Sequence, residues 1–98
     1  MYVFSVNATA RIPRAAVPEG KIMPFMVYIN FADLFGAEQL CKIYLMQAGF
    51  TEVHIEKRKL FSQQMLEDEQ LLLTDPALKE ALESGYMIRM FDEEDELH

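Results

Sequence analysis

Apolar and polar residues alternate along the first part of the chain. From Tyr2 to Ile12 every second side chain is apolar, and these side chains share one face. This period of two is typical of a strand with one buried face. A loop is predicted over 13–24, because it contains three prolines and Gly20. A second strand is predicted over 25–31, and its two fairly apolar faces indicate a central place in a sheet.

The pattern then becomes helical. Asp33 is suited to the N-cap of a helix and Gly49 to its left-handed C-cap. Between them, apolar residues recur at helical spacing: Leu34, Ala37, Leu40, Cys41, Tyr44, Leu45 and Ala48. A third strand is predicted over 51–61. Because strand, helix and strand form a crossover unit, the second and third strands are expected to run parallel with a right-handed connection.

A second helical region is predicted from Ser62, with a break near Thr74 and a restart at Pro76. Gly85 ends it, and a short last strand follows over 86–91. The predicted order is therefore β-β-α-β-α-β. It favours an α+β fold of the two-layer sandwich type, with a four-stranded mixed sheet and two helices on one face.

Charge is concentrated at one place. The 98 residues include 16 acidic and 9 basic side chains, for a net charge of −7, and five of the acidic residues fall within 92–98. Residues 1–91 are predicted to form a single α+β domain and 92–98 a disordered acidic tail, because ordering costs about 1–2 kcal/mol per residue with little hydrophobic gain. This negative charge disfavours binding to nucleic acid or membrane and favours binding to a basic protein. The alternative is a tail that is only solvated and has no partner.

No residue set resembles an active site. Cys41 lies on the buried helical stripe, which indicates a structural thiol rather than a nucleophile. Around His54, Glu52 and Glu56 are alternate strand residues about 6.6 Å away, which is wide for one metal ion. Glycine-rich phosphate motifs and catalytic motifs are absent from the sequence. We therefore expect no enzymatic activity, no catalytic or metal-binding residues and no cofactor.

The basic stretch from Lys57 to Lys59 is the main cluster of positive charge. It is too small, on a negative chain, to predict nucleic-acid binding. A contact with the chain's own acidic tail, or with that of a second subunit, is the favoured interpretation.

Apolar residues are more abundant than a chain of this size can bury. The hydrophobic content is 51%, with seven Phe, four Tyr and seven Met. We therefore predict a homodimer, joined through the sheet face opposite the helices or through an edge formed by residues 86–91. The candidate partner-contact residues are Met26, Tyr28, Asp92, Glu93, Glu94, Asp95 and Glu96.

These features predict a small acidic protein-interaction domain that acts by stoichiometric binding, of the inhibitor, immunity or antitoxin type. Two alternatives stay open, a small-molecule-sensing regulatory domain and a non-catalytic subunit of a larger complex. A single cysteine and the lack of a long apolar run favour a cytoplasmic location. The position of exposed hydrophobic residues and the presence of a pocket distinguish the functional alternatives.

Overall fold

The computed structural model describes residues 1–13 and 17–91. One sheet contains four strands, β1 (Tyr2–Ala10), β2 (Ile22–Ile29), β3 (Phe50–Leu60) and β4 (Tyr86–Met90). The helices are α1 (Leu34–Gln47), α2 (Gln63–Leu66), α3 (Glu69–Thr74) and α4 (Pro76–Ser84). The α+β class and the four-stranded sheet are thus confirmed, whereas the predicted disordered tail, 92–98, lies outside the described residues.

The sheet is antiparallel throughout, so the prediction of a mixed sheet was wrong. Its strand order is β3-β1-β2-β4, and each neighbouring pair is antiparallel. β2 and β3 point in the same direction, as a crossover requires, but β1 lies between them and no parallel ladder forms. The physical reason is that a strand can pair along both of its edges. β2 follows the first loop and pairs with one edge of β1, and β3 pairs with the other edge, so β1 separates the two strands.

Helices cover both faces of the sheet, so the two-layer arrangement with both helices on one face was also wrong. Neighbouring residues of a strand point to opposite faces. Phe4 and Val27 therefore pack in a core with α1, while Val3 and Tyr28 pack in a second core with α4. The physical reason is that both faces of β2 are apolar, and each apolar face needs its own cover.

Local signals fix the ends of the helices, and Asp33, Ser62, Pro76 and Gly85 act as the sequence predicted. The carboxylate of Asp33 accepts a hydrogen bond from the Gly36 amide at 2.7 Å, and Gly85 ends α4 with a φ of 93°. Ser62 caps α2, and Asp75 caps α4 with Pro76 in its first turn. The predicted break near Thr74 is confirmed, and another occurs between α2 and α3.

Pro24 lies inside β2 rather than in the preceding loop, because β2 begins at Ile22. The carbonyl of Pro24 accepts a hydrogen bond from the Phe91 amide at 2.9 Å, so this residue's pairing side faces β4. The β2–β4 register ends one position away, at Phe25 opposite Met90. The missing N–H of proline therefore interrupts no ladder, and the strand tolerates it.

Candidate interaction surfaces

The outward side of α1 carries three exposed apolar side chains among polar ones. Phe35, Ile43 and Met46 have exposed fractions of 70%, 46% and 54%. Their spacing of eight and three residues places them on one stripe of the helix. The opposite side packs on the sheet through buried residues, namely Ala37, Cys41 and Leu45. A helix that is apolar on opposite sides is normally covered on both, so the outward stripe indicates a contact surface.

Phe31 extends this stripe at the start of α1. It lies in the link between β2 and α1 and is exposed, and its ring lies so close to Gly36 that a Cβ there would overlap it. Glycine at this position of the helix therefore makes room for the aromatic ring. Phe31, Phe35, Ile43 and Met46 are called the α1 surface below.

The edge of the sheet at β4 is also partly apolar. Tyr86 of β4 stacks on Tyr44 of α1, with ring centroids 4.0 Å apart and planes 12° apart. Tyr86 and Met90 are exposed, and β4 stands at the end of the strand order. The segment over 86–91 thus forms a sheet edge through β4, while its pairing with a second copy stays a prediction.

Met26 and Tyr28 do not lie on a face free of helices. Tyr28 has an exposed fraction of 3% and packs in the core with α4. Its hydroxyl donates to Oδ2 of Asp75 at 3.3 Å. Burial, and then the Asp75 carboxylate, raise the pKa of Tyr28, and Arg89 opposes part of that rise. Met26 is partly buried beside it, and the other candidate contacts, Asp92, Glu93, Glu94, Asp95 and Glu96, lie outside the described residues.

An open groove lies beside Tyr28, between this face of the sheet and the start of α4. Its volume is about 570 Å³, and Met26, Tyr28 and Asp75 line it together with the end of β3. Val3 and Phe61 supply buried apolar surface to its lining. The name lysine groove is used below, because Lys57 and Lys59 both line it.

The basic stretch divides between the two faces of the sheet. Lys57 pairs in register with Ser5, and Lys59 with Val3, so both lie on the face of the groove. Arg58 lies opposite Phe4 and forms an ion pair with Glu38 of α1 on the other face. All three residues line the groove, but the guanidinium of Arg58 is paired with Glu38, which leaves the two lysines as its unpaired cations among the described residues.

Cys41 and His54 occupy different environments. Cys41 is fully buried, and burial raises the pKa of its thiol to about 12, which is unfavourable for nucleophilic chemistry. His54 is exposed on β3. Its neighbours Glu52 and Glu56 accept hydrogen bonds from the side chains of β1, from Thr9 and Asn7 respectively. Within residues 1–13 and 17–91, no cluster of His, Cys, Asp and Glu suits a metal ion.

Comparison with protein-family models, with curated proteins and with solved structures finds no match to this chain. In the part of the chain that the structure describes, no helix has the length and apolar character needed to cross a membrane. Functional inference therefore depends on the surfaces themselves.

Sequence reasoning missed both the α1 surface and the lysine groove. The α1 surface has a visible signal, because Phe35, Ile43 and Met46 share a stripe of a helix whose opposite stripe is already apolar. The groove has none, because Ser5, Lys57 and Asp75 are distant in sequence and meet through sheet pairing and the placement of α4.

Proposed function

We propose that this chain is a protein-interaction domain that acts by stoichiometric binding, with the α1 surface as its docking site. The observation that carries the proposal is the outward apolar stripe of α1. Phe35 is 70% exposed, although aromatic side chains contribute strongly to binding where they are covered. Covering this stripe with another protein removes apolar area from water, which is a main favourable contribution to protein association.

The composition of the α1 surface also resembles that of interfaces. Aromatic residues and methionine are enriched in protein interfaces, and this surface consists of two phenylalanines, one isoleucine and one methionine. Gln39 and Lys42 lie between these apolar residues on the outward side and offer polar groups to the partner. The partner is proposed to be basic overall, since the chain has a net charge of −7 and opposite charge accelerates association.

The test is a capture experiment in extracts of the native host, with three forms of the full chain. The first is unchanged, and the second carries Phe35→Gln, Ile43→Gln and Met46→Gln. The third carries Leu73→Gln, at a side chain that is 81% exposed on α3 and serves as the matched control. We expect the unchanged chain and the control to retain a partner in a fixed ratio, and the triple variant to lose it.

Two further measurements make this result decisive. Thermal unfolding should show similar melting temperatures for all three forms, because the substituted side chains are exposed and glutamine is a good helix former. Binding of the purified partner should weaken as salt rises, as expected for a basic protein. Equal capture by the triple variant and the control contradicts the proposal.

A further inference from the structure

Two cations of the lysine groove, Lys57 and Lys59, lie in the same lining as one carboxylate, that of Asp75. The ammonium of Lys59 lies 4.9 Å from the centroid of the Phe61 ring, an attractive cation–π contact that keeps it at the groove. Arg89 lies in register with Met26 and adds a third cation beside the groove. Neither Lys57 nor Lys59 forms an ion pair with a carboxylate of residues 1–13 or 17–91.

Two carboxylates, one in the groove and one adjacent to Lys57 in sequence, accept hydrogen bonds from other groups. Asp75 lines the groove, but its oxygens accept hydrogen bonds from the Ala77 amide and from the Tyr28 hydroxyl. Glu56 follows Ile55 on β3 and accepts a hydrogen bond from the side-chain amide of Asn7. The two lysines are therefore available to an anionic group from outside the described part of the chain.

The last described residue lies at the level of Pro24, a short way along the sheet from this groove. Phe91 is the last described residue, and its amide donates to the carbonyl of Pro24, two residues from Met26. The strand order places three inter-strand spacings, about 14 Å, between β4 and β3. Ser5 and Val3, the partners of Lys57 and Lys59, lie two and four residues along β1 from Asn7, which is opposite Pro24, so the direct distances are about 16 and 19 Å. Seven residues span up to about 23 Å when extended, so residues 92–98 are long enough to reach Lys57 and Lys59.

We propose that the acidic segment 92–98 binds in the lysine groove of its own chain, with its carboxylates paired to Lys57 and Lys59. Five of its seven residues are acidic, which matches the charge of the groove. Because the segment is tethered at Phe91, its effective concentration at the groove is in the millimolar range, and weak ion pairs suffice. The contact needs no single conformation of the segment, since charge rather than packing holds it.

This binding gives the segment a function separate from the α1 surface. While it is bound, the carboxylates of the segment compete with other anionic groups for Lys57 and Lys59. A basic protein that attracts the same carboxylates must compete with the two lysines for them. The strength of the internal contact therefore sets how readily the acidic segment is available to a partner.

The test uses paramagnetic relaxation in the full-length chain. A nitroxide is attached through His98→Cys, under native conditions in which the buried Cys41 is protected, and the broadening of backbone amides is measured by NMR. At about 0.01 M salt, where the screening length is about 30 Å, we expect strong broadening at Ser5, Met26, Lys57 and Lys59. At about 1 M salt, where the screening length is about 3 Å, the broadening should fall several-fold.

Matched charge variants identify the binding site. Lys57→Gln with Lys59→Gln should reduce the broadening at Ser5 and Met26 several-fold, whereas Lys21→Gln with Lys79→Gln changes the net charge equally and should leave it unchanged. Weak broadening in the unchanged chain, or equal loss in both double variants, overturns the proposal. The last control is a mixture of spin-labelled, unenriched chain with unlabelled, ¹⁵N-enriched chain, in which only contacts between two chains cause broadening. Broadening of similar strength in this mixture assigns the contact to a second copy and overturns binding within one chain.

Discussion

At the scale of single residues, Cys41 shows how position determines chemistry. Its side chain is fully buried in α1, and burial raises the pKa of the thiol to about 12. We expect it to react slowly with thiol reagents in the native protein and quickly after unfolding. Cys41→Ser should lower the free energy of unfolding by about 1–3 kcal/mol, because it buries a hydroxyl without an assured partner. Rapid native labelling would contradict this placement.

The same residue predicts a pH dependence of stability. An unfolded cysteine ionises near pH 8.5, while the folded thiol stays protonated to about pH 12. Since the unfolded state loses its proton first, the free energy of unfolding should fall as pH rises through this window and be unaffected by this group below it. Chemical denaturation at pH 7 to 10.5 measures the effect. Cys41→Ala should show a smaller decline, and an equal decline in both forms would contradict the assignment.

At the scale of elements, Asp75 joins α4 to the sheet. Its carboxylate accepts from the Ala77 amide at 3.2 Å as the N-cap, and from the Tyr28 hydroxyl of β2 at 3.3 Å. Asp75→Ala should cost about 1–2 kcal/mol for the cap and more for the lost hydroxyl contact. Tyr28→Phe should cost about 0.5–1.5 kcal/mol.

A double-mutant cycle measures this connection by chemical denaturation. The cost of Tyr28→Phe should shrink when Asp75 is already alanine, because the acceptor is then missing. Asp75→Asn is the matched control, since asparagine is an equally good N-cap and keeps a side-chain acceptor. Equal costs of Tyr28→Phe in both backgrounds would show that the two residues do not interact.

At the scale of the whole molecule, the exposed edge at β4 predicts how two copies associate. The Phe91 amide points toward β2, so the Met90 amide, one residue before it, points away from the sheet. Met90→Pro therefore removes an outward donor while leaving the β2–β4 ladder intact, and should prevent edge pairing between two chains.

Light scattering at low micromolar concentration measures this association. We expect twice the mass of one chain for the unchanged protein and for Leu73→Gln, and the mass of one chain for Met90→Pro. A single-chain mass for the unchanged protein would contradict the homodimer. Retention of the dimer by Met90→Pro would exclude β4 as its seam.

The sequence by itself determined the local elements and the placement of charge. Helix ends are fixed through hydrogen bonds and backbone preferences within a few residues, so neighbours in sequence suffice to identify them, as at Asp33, Ser62 and Gly85. The concentration of carboxylates in 92–98 is likewise visible directly.

Tertiary structure alone decided the pairing of strands and the assembly of surfaces. β1 between β2 and β3, and helices on both faces, depend on which apolar areas are covered together, and that is a property of the whole chain. The lysine groove arose because sheet register and the placement of α4 brought Ser5, Lys57 and Asp75 together across long sequence separations. The exposure of Phe35 was decided in the same way. The sequence predicts that the stripe of Cys41 is buried, but only the packing of the other elements leaves the opposite side of α1 uncovered.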